Sequence, residues 1–410
     1  MKHIFWSIFL LGILTNTIAQ EGCTDQYATN YNQDAQINDG SCVYEPLFLR
    51  PQVLIENLPV TINETSGLID YKDGLWTHND SGGEAKIYKF SKATGEITQT
   101  ISINNVTNVD IEDITQDEHY IYVGDFGNNK GNRDDLQIYK LHKEDIPESA
   151  NASIDAEIIA FSYSDQVSFD RKNRKNDYDC EAFLSFEDHL YLFSKNWASE
   201  TTKCYKLSKS AGEYEISILD TFNVRGLITA ADYNAEKNRI VLLGYENFIP
   251  FMWTIWDFND DDFFKGHKKR ADFAYIAGAQ TEGVCFKSPS EVYISCEESY
   301  YPQQLYQLDI DQIVNGIENA DVYQRFDIQL FPNPAKQNVR IEVIGLNEDL
   351  FDVEIYNINW QKINQFSFQE KPTNGKTIVD APLNNIKSGI YFIKIRQAQN
   401  VGFQKLMIRK

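Results

Sequence analysis

Positive charge is what this chain is short of. Its 410 residues include 38 Lys and Arg against 60 Asp and Glu, a formal net charge of −22. The shortage is uneven. Residues 1–325 hold 27 basic against 52 acidic side chains, a net of −25, whereas 326–410 hold 11 against 8, a net of +3. An acidic body excludes nucleic acid as a partner and argues against anionic membrane surfaces, because both require basic patches. Long apolar runs are missing too. Past the N-terminal segment nothing approaches the run of about 18 apolar residues that a membrane-spanning helix needs, so the mature chain reads as soluble. No G-x-S-x-G, H-E-x-x-H, P-loop or G-x-G-x-x-G stands in a suitable setting, which leaves nucleophile-elbow, zinc-protease and dinucleotide chemistry without support.

What is there is a repeat. Its clearest copy lies in 108–141, where three strand-like runs follow one another. An opening strand begins Glu112-Asp113-Ile114, a β-branched and aromatic run spans 121–125, and an alternating run spans 137–141. Equivalent openings are Ser66-Gly67-Leu68, Glu181-Ala182-Phe183, Thr229-Ala230-Ala231 and Glu282-Gly283-Val284. Third runs carry Tyr88, Tyr139, Tyr205 and Tyr306 in four of the five copies. A fourth run follows in four copies, at 97–103, 157–163, 214–219 and 272–276. The fifth copy lacks one, and a spare strand at 52–60 precedes the first. Four strands per unit and a period of about 40–70 residues predict an all-β β-propeller of five blades, or six if the long gap between the second and third openings hides strands. The spare strand would complete the last blade and remove the open edges of the array.

The domains expected along the chain are a signal peptide (1–19), a cysteine-bracketed module (20–46), the propeller (47–312), a polar linker (313–325) and a small Ig-like β-sandwich (326–410). Lys2 and His3, then the apolar run 4–14, then Thr17-Ile18-Ala19 form the export signal. It sends the protein through the periplasm to an oxidising, extracellular setting, in which six cysteines permit up to three bridges. Cys23 and Cys42 bracket the short module. Cys180 and Cys204 fall in one blade, and Cys285 and Cys296 on neighbouring strands of one hairpin. Free buried thiols are the alternative for the last four.

The module reads Gly22-Cys23-Thr24-Asp25, then Ala28-Thr29-Asn30-Tyr31-Asn32, and ends Asp39-Gly40-Ser41-Cys42. It resembles the GCTD cysteine modules of secreted Bacteroidetes proteins, with Gln26 where proline is common. So few apolar residues need a staple, and a Cys23–Cys42 bridge would contribute about 3 kcal/mol. Asp25, Asp34, Asn38 and Asp39 offer oxygen ligands for calcium, or simply form Asx turns.

The C-terminal segment carries Phe331-Pro332-Asn333-Pro334, then Ser388-Gly389-Ile390-Tyr391-Phe392-Ile393, and ends Lys405-Leu406-Met407-Ile408-Arg409-Lys410. These blocks resemble the C-terminal sorting domain of type IX secretion substrates. The resemblance implies that the type IX machinery is a partner and that the protein is secreted or displayed at the cell surface. Seven strand-like runs between 326 and 408 fit a sandwich.

Hairpin geometry brings each blade's opening to the same rim as the end of its second strand. That rim collects Glu112, Glu181 and Glu282, with Asp110 and Asp179 two residues earlier, and Asp125 and Glu297 from second-strand ends. Asn79, Asp80, Lys195 and Tyr245 lie beside them. Converging carboxylates raise one another's pKa or recruit a cation, so calcium is the expected cofactor. The Asp-Ile-Glu-Asp-Ile and Tyr-Asp-Cys-Glu-Ala runs are similar to the propellers of phytase-like esterases and lactonase-like families. That similarity implies a channel calcium, although Ser66 and Thr229 interrupt the carboxylate ring. The loops 127–135 and 168–176, the latter basic, reach this rim. Trp197, Phe248 and Phe251 near it would suit sugar stacking or blade packing. Three functions remain open: an extracellular ligand-binding protein, a hydrolase using rim carboxylates (glycosidase, phytase-like or esterase-like), and an adhesion scaffold.

Overall fold

The structure is a computed structural model that describes residues 20–299, 301–315, 327–357, 361–373, 375–397 and 400–410. The expected signal peptide (1–19) and most of the expected linker (313–325) lie outside the described residues.

Residues 47–309 form five mainly antiparallel sheets. The first comprises Thr65–Tyr71, Gly74–Asn79, Lys86–Phe90 and Ile97–Ile103, and the second Ile111–Gln116, Tyr120–Asp125, Leu136–His142 and Glu157–Tyr163. The third runs Cys180–Phe186, His189–Ser194, Thr202–Ser208 and Ile218–Phe222. The fourth runs Leu227–Asn234, Arg239–Glu246, Ile249–Trp256 and His267–Asp272. The fifth has Gln280–Ser288, Glu291–Glu297 and Gln304–Asp309, and takes its last strand, Gln52–Ile55, from the N-terminal side. Opening strands touch in the order one to five, and the fifth touches the first again. Inner strands are apolar on both faces because each is covered by its neighbours. Trp76, Tyr122, Phe183, Phe193 and Tyr306 are fully buried between sheets. Outer edges are covered in part by parallel strands: Asn151–Ile154 on the first sheet, Gly212–Ile216 on the second and Leu47–Phe48 on the fourth. Such covering blunts edges that would otherwise pair with another chain.

Several expected strand positions shift. The run at 214–219 divides: Gly212–Ile216 goes to the second sheet, and Ile218–Phe222 is the fourth strand of the third. The run at 272–276 is a 3-10 turn, Ala274–Ile276, and the strand is His267–Asp272 just before it. Its basic residues hid it. Arg270 is buried because it pairs with Glu246 and Asp272, each at 2.7 Å, and lies 3.9 Å from the ring centre of Phe251. The long gap before the third sheet, 164–179, contains no strand.

Only Cys23 and Cys42 are bridged, while Cys180, Cys204, Cys285 and Cys296 are buried free thiols. The pairs expected within a blade fail because their members face opposite sides of one sheet. Cys180 packs with Phe126 and Phe183, and Cys204 with Val224 and Ile228. Cys285 packs with Leu75 and Phe90, and Cys296 with Val292 and Tyr306. In the stapled module the acidic and amide oxygens form turns. Asp25 accepts from Tyr27 N and Tyr44 Oη, Asn38 from Gly40 N, and Asp39 from Ser41 N; Asn32 caps Asp34 N.

The C-terminal sandwich pairs the sheet Asp327–Phe331, Asn338–Ile344, Lys376–Pro382 with the sheet Lys362–Gln369, Leu350–Asn357, Gly389–Gln397, Asn400–Ile408. Val339, Ile341, Val353, Ile355, Tyr391, Ile393 and Leu406 fill it. Asn333 clips the Phe331-Pro332-Asn333-Pro334 corner onto the last strand, donating to Lys405 O and accepting from Met407 N, both at 2.8 Å. On the outer face of the second sheet, Tyr356, Phe392 and Phe403 are also buried. They pack on Phe48, Ile249, Ala274 and Ala277 of the fourth-sheet region.

Candidate cation and ligand site

The repeated glutamates are bulge residues. In the second sheet Ile111 faces Asp125 and Asp113 faces Gly124, which leaves Glu112 as the extra residue. Glu181, Thr229 and Glu282 are extra in the same way in sheets three to five, and the first sheet shifts register between Ser66 and Ile69. A bulge twists its strand and re-aims one side chain, so the repeat delivers one such residue per sheet. Ser66 and Thr229, which interrupt the carboxylates, bind the neighbouring backbone instead. Ser66 Oγ donates to Glu112 O at 2.6 Å and Thr229 Oγ1 to Thr281 O at 2.7 Å.

Carboxylate oxygens of Asp80, Asp110 and Glu112 lie within 4.8 Å of one another, as do those of Glu112, Asp179 and Glu181. Glu112 joins the two groups. It is 4% exposed, and its carboxylate has no hydrogen-bond or ion-pair partner among the described residues. Asp179 is held by Asn128 N and Trp197 Nε1, both at 2.6 Å. Glu181 pairs with Lys195, whose Nζ is also 5.0 Å from the Trp197 ring centre and 5.2 Å from that of Tyr245. The loop after the second strand presses on this cluster, because a Cβ at Gly127 would overlap the carboxylates of Glu112 and Asp110. The buried Nδ2 of Asn128, in the same loop, has no partner. A cavity of about 300 Å³ opens beside Asp110, lined also by Asn128, Asn129, Lys130 and Arg133.

Burial, more than mutual repulsion, sets the protonation of these groups. It raises Asp110 and Asp179 to about 6; Asp80 adds to the rise at Asp110, and Lys195 opposes it at Asp179. Glu181 rises to about 8 against the pull of Lys195, and Glu297 to about 8 with help from Asp80. Glu112 and Glu282 lie well above the usual carboxylate range, by burial and then by Glu181 and Glu297 respectively. Each folded-state pKa therefore exceeds its unfolded value of about 4. The stability these groups permit is complete below that value and is lost as pH rises through 6 and then 8. Protein held in chelator should melt about 5 °C lower at about pH 8.5 than at about pH 5.5. Calorimetry showing no fall over that interval would mean that the carboxyls are not confined as described.

The expected site residues do not all converge. Glu282 and Glu297 feel the cluster electrostatically without joining either close group, and Gln280 Nε2 donates to Glu297. Asp125 is a positioning residue: it takes Arg133 at 2.9 Å, Tyr139 Oη at 2.7 Å and the backbone N–H of Val109 and Asp110. It thereby shapes the turn that presents Asp110. Asp80 is a full member, although its position beyond the second strand marked it only as a neighbour. Phe251 is entirely buried, Trp197 is partly buried and donates to Asp179, and Phe248 stands 4.9 Å from Phe392 of the sandwich. The basic side chains of 168–176 form no ion pair with the rim carboxylates.

Residues 329–409 match the family described as Por_Secre_tail, a secretion system C-terminal sorting domain. The match supports a type IX secretion substrate that engages the secretion machinery and is exported to the medium or the cell surface. No helix among the described residues is long and apolar enough to cross a membrane. No curated protein sequence matches the chain. Among solved structures, the exo-β-1,3-galactanase of Phanerochaete chrysosporium with β-1,3-galactotriose is similar at a TM-score of 0.42 and 7% identity, over 88% of this chain and 99% of that one. The hydrazine synthase of Kuenenia stuttgartiensis is similar at 0.36 and 11%, over 64% and 81%. A putative 6-phosphogluconolactonase from Bacteroides uniformis gives 0.28 and 10%, over 84% and 96%.

Proposed function

We propose that the five sheets form a closed five-bladed propeller whose acidic mouth binds calcium, and that the exported protein is a ligand-binding protein gripping its target through that ion. The observation that carries this reading is Glu112, a buried carboxylate without a partner, with the oxygens of Asp80, Asp110, Asp179 and Glu181 within 4.8 Å in its two groups. Two oxygens that share one calcium at about 2.3–2.6 Å are at most about 5 Å apart. Asp110 lies on the boundary between cluster and cavity, so an ion there would retain a side open to a ligand. The stapled GCTD-like module packs on the outer side of the fourth sheet, where Asn38 Nδ2 donates to Lys265 O at 2.7 Å.

A hydrolase is the second reading, supported by Glu181, whose raised pKa suits a general acid. The close oxygens weigh against the inverting arrangement, which needs carboxyl groups about 6.5–9.5 Å apart.

Calcium added to chelated protein should raise the melting temperature by about 5 °C at saturating concentration, and magnesium by much less, because magnesium demands a tighter octahedral site. Glu112→Gln should remove most of the calcium response. An unchanged melting temperature in both ions would refute the cation. Turnover of a glycoside, phosphate ester or ester that Glu181→Gln abolishes would favour the hydrolase.

A further inference from the structure

The most exposed large apolar side chain in the described chain is Val167, at 89%; Phe169, two residues on, is 46% exposed. Both belong to the long connection before the third sheet. Immediately after them come Arg171, Lys172, Arg174 and Lys175, all exposed and none in an ion pair among the described residues. Three acids in the adjoining segments are engaged elsewhere. Asp165 takes Lys203 at 2.6 Å, Asp135 takes Arg133 at 2.9 Å, and Asp177 caps Ala198 N and Ser199 N. Asp170, the one acid within the stretch, accepts from Ser168 Oγ at 3.1 Å.

The stretch is built and held. Buried Gln166 at one end donates to Gly131 O at 3.2 Å, and buried Asn176 at the other donates to Asn129 O at 3.1 Å. Between them Lys172 N reaches Lys130 O at 2.8 Å and Arg174 N reaches Asn129 O at 2.7 Å. Arg174 adopts φ +51°, and its guanidinium lies 5.0 Å from the Trp197 ring centre. The backbone is thus fastened to the neighbouring loop and Arg174 to Trp197, while Val167, Phe169, Arg171, Lys172 and Lys175 stay exposed.

We infer that this loop docks the protein on an anionic lipid surface, with Val167 and Phe169 entering the apolar layer and Arg171, Lys172 and Lys175 meeting headgroup phosphates. A polyanion dissolved in water would satisfy the cations but gain nothing from the two bare apolar side chains; a bilayer satisfies both. The body's negative charge does not forbid this, because charges farther than about 8 Å are screened at physiological salt. The inference does not rest on the cation reading.

The test is flotation of the full chain with vesicles of phosphatidylcholine, with and without phosphatidylglycerol. Binding should require phosphatidylglycerol and weaken in high salt. Val167→Ser with Phe169→Ser should lower partitioning about tenfold, as should Arg171→Ala with Lys172→Ala and Lys175→Ala. Both variants should melt within about 2 °C of the wild type, since these side chains are exposed and none lies in a core cluster. Absence of flotation overturns the proposal. So does flotation that is indifferent to the apolar pair and abolished by soluble polygalacturonate, which would make the loop a polysaccharide site.

Discussion

A chain that begins at Thr61 is expected to melt well below the full chain. The strand it lacks, Gln52–Ile55, completes the fifth sheet, and the contact joins distant parts of the chain: Gln304 Nε2 donates to Glu56 O, 248 residues away, at 3.1 Å. Ile55 and Leu58, 8% and 3% exposed, pack with Leu75, Phe90 and Leu305 between the fifth and first sheets. Each contributes about 1.5–3 kcal/mol. The uncovered edge of Gln304–Asp309 adds unpaired backbone groups. The total reaches about 5 kcal/mol, comparable with the whole net stability of many domains. A chain beginning at Pro46 keeps the strand together with Leu47, Phe48 and the buried Leu49, and lacks only the stapled module, so it should melt close to the full chain. If calorimetry gives the two truncations the same transition, the strand does not close the array.

Replacing Lys195 by Met should produce an effect of similar rank, but one that depends on pH. Lys195 has a side chain 5% exposed and is, among the described residues, the only cation paired with a carboxylate of the two close groups. Removing one partner of a buried pair costs about 3–5 kcal/mol when the other stays charged. Here Glu181 can escape by taking a proton, since its pKa is already about 8 and the loss of Lys195 moves it higher. The penalty should therefore be about 3 kcal/mol near pH 10, about two units above that pKa, and vanish near pH 5, where Glu181 is protonated in both proteins. Denaturant titrations at the two pH values decide the matter. An equal loss at both would assign Lys195 a packing role, resting its stem against Trp197 and Tyr245, and would remove the electrostatic account.

Much of this architecture can be read from residues alone, and the exceptions share physical causes. The opening strands and the tyrosines of the third strands recur because every sheet faces two neighbours, so each copy meets the same packing problem. Alternation revealed the seven strands of the sandwich for the same reason. His267–Asp272 is hidden because hydropathy counts its basic residues as exposed, whereas Arg270 is buried through ion pairs, Lys268 bonds backbone carbonyls and Lys269 lies over the Tyr44 ring. Gly212–Ile216 was credited to the wrong sheet, since neighbours in sequence need not be neighbours in a ladder. Glu112 and Glu181 were legible as equivalents; the bulge that turns them inward was not, because it is a property of register between strands. Asp125 and Asp80 were exchanged in role for a similar reason. Which carboxylate meets Arg133 depends on the path of a loop that no periodicity describes.

The aromatic outer face of the sorting domain bears on its use as a portable export tag. Tyr356, Phe392 and Phe403 are buried here against Phe48, Ile249, Ala274 and Ala277, surfaces belonging to this particular passenger. Grafted onto an unrelated passenger, the domain would carry the same three rings into water as a contiguous sticky patch, a liability for self-association. Transferability of the tag is in that sense a property of the pair, and polar replacements on that face, which leave the sandwich interior untouched, are where a general-purpose version would begin.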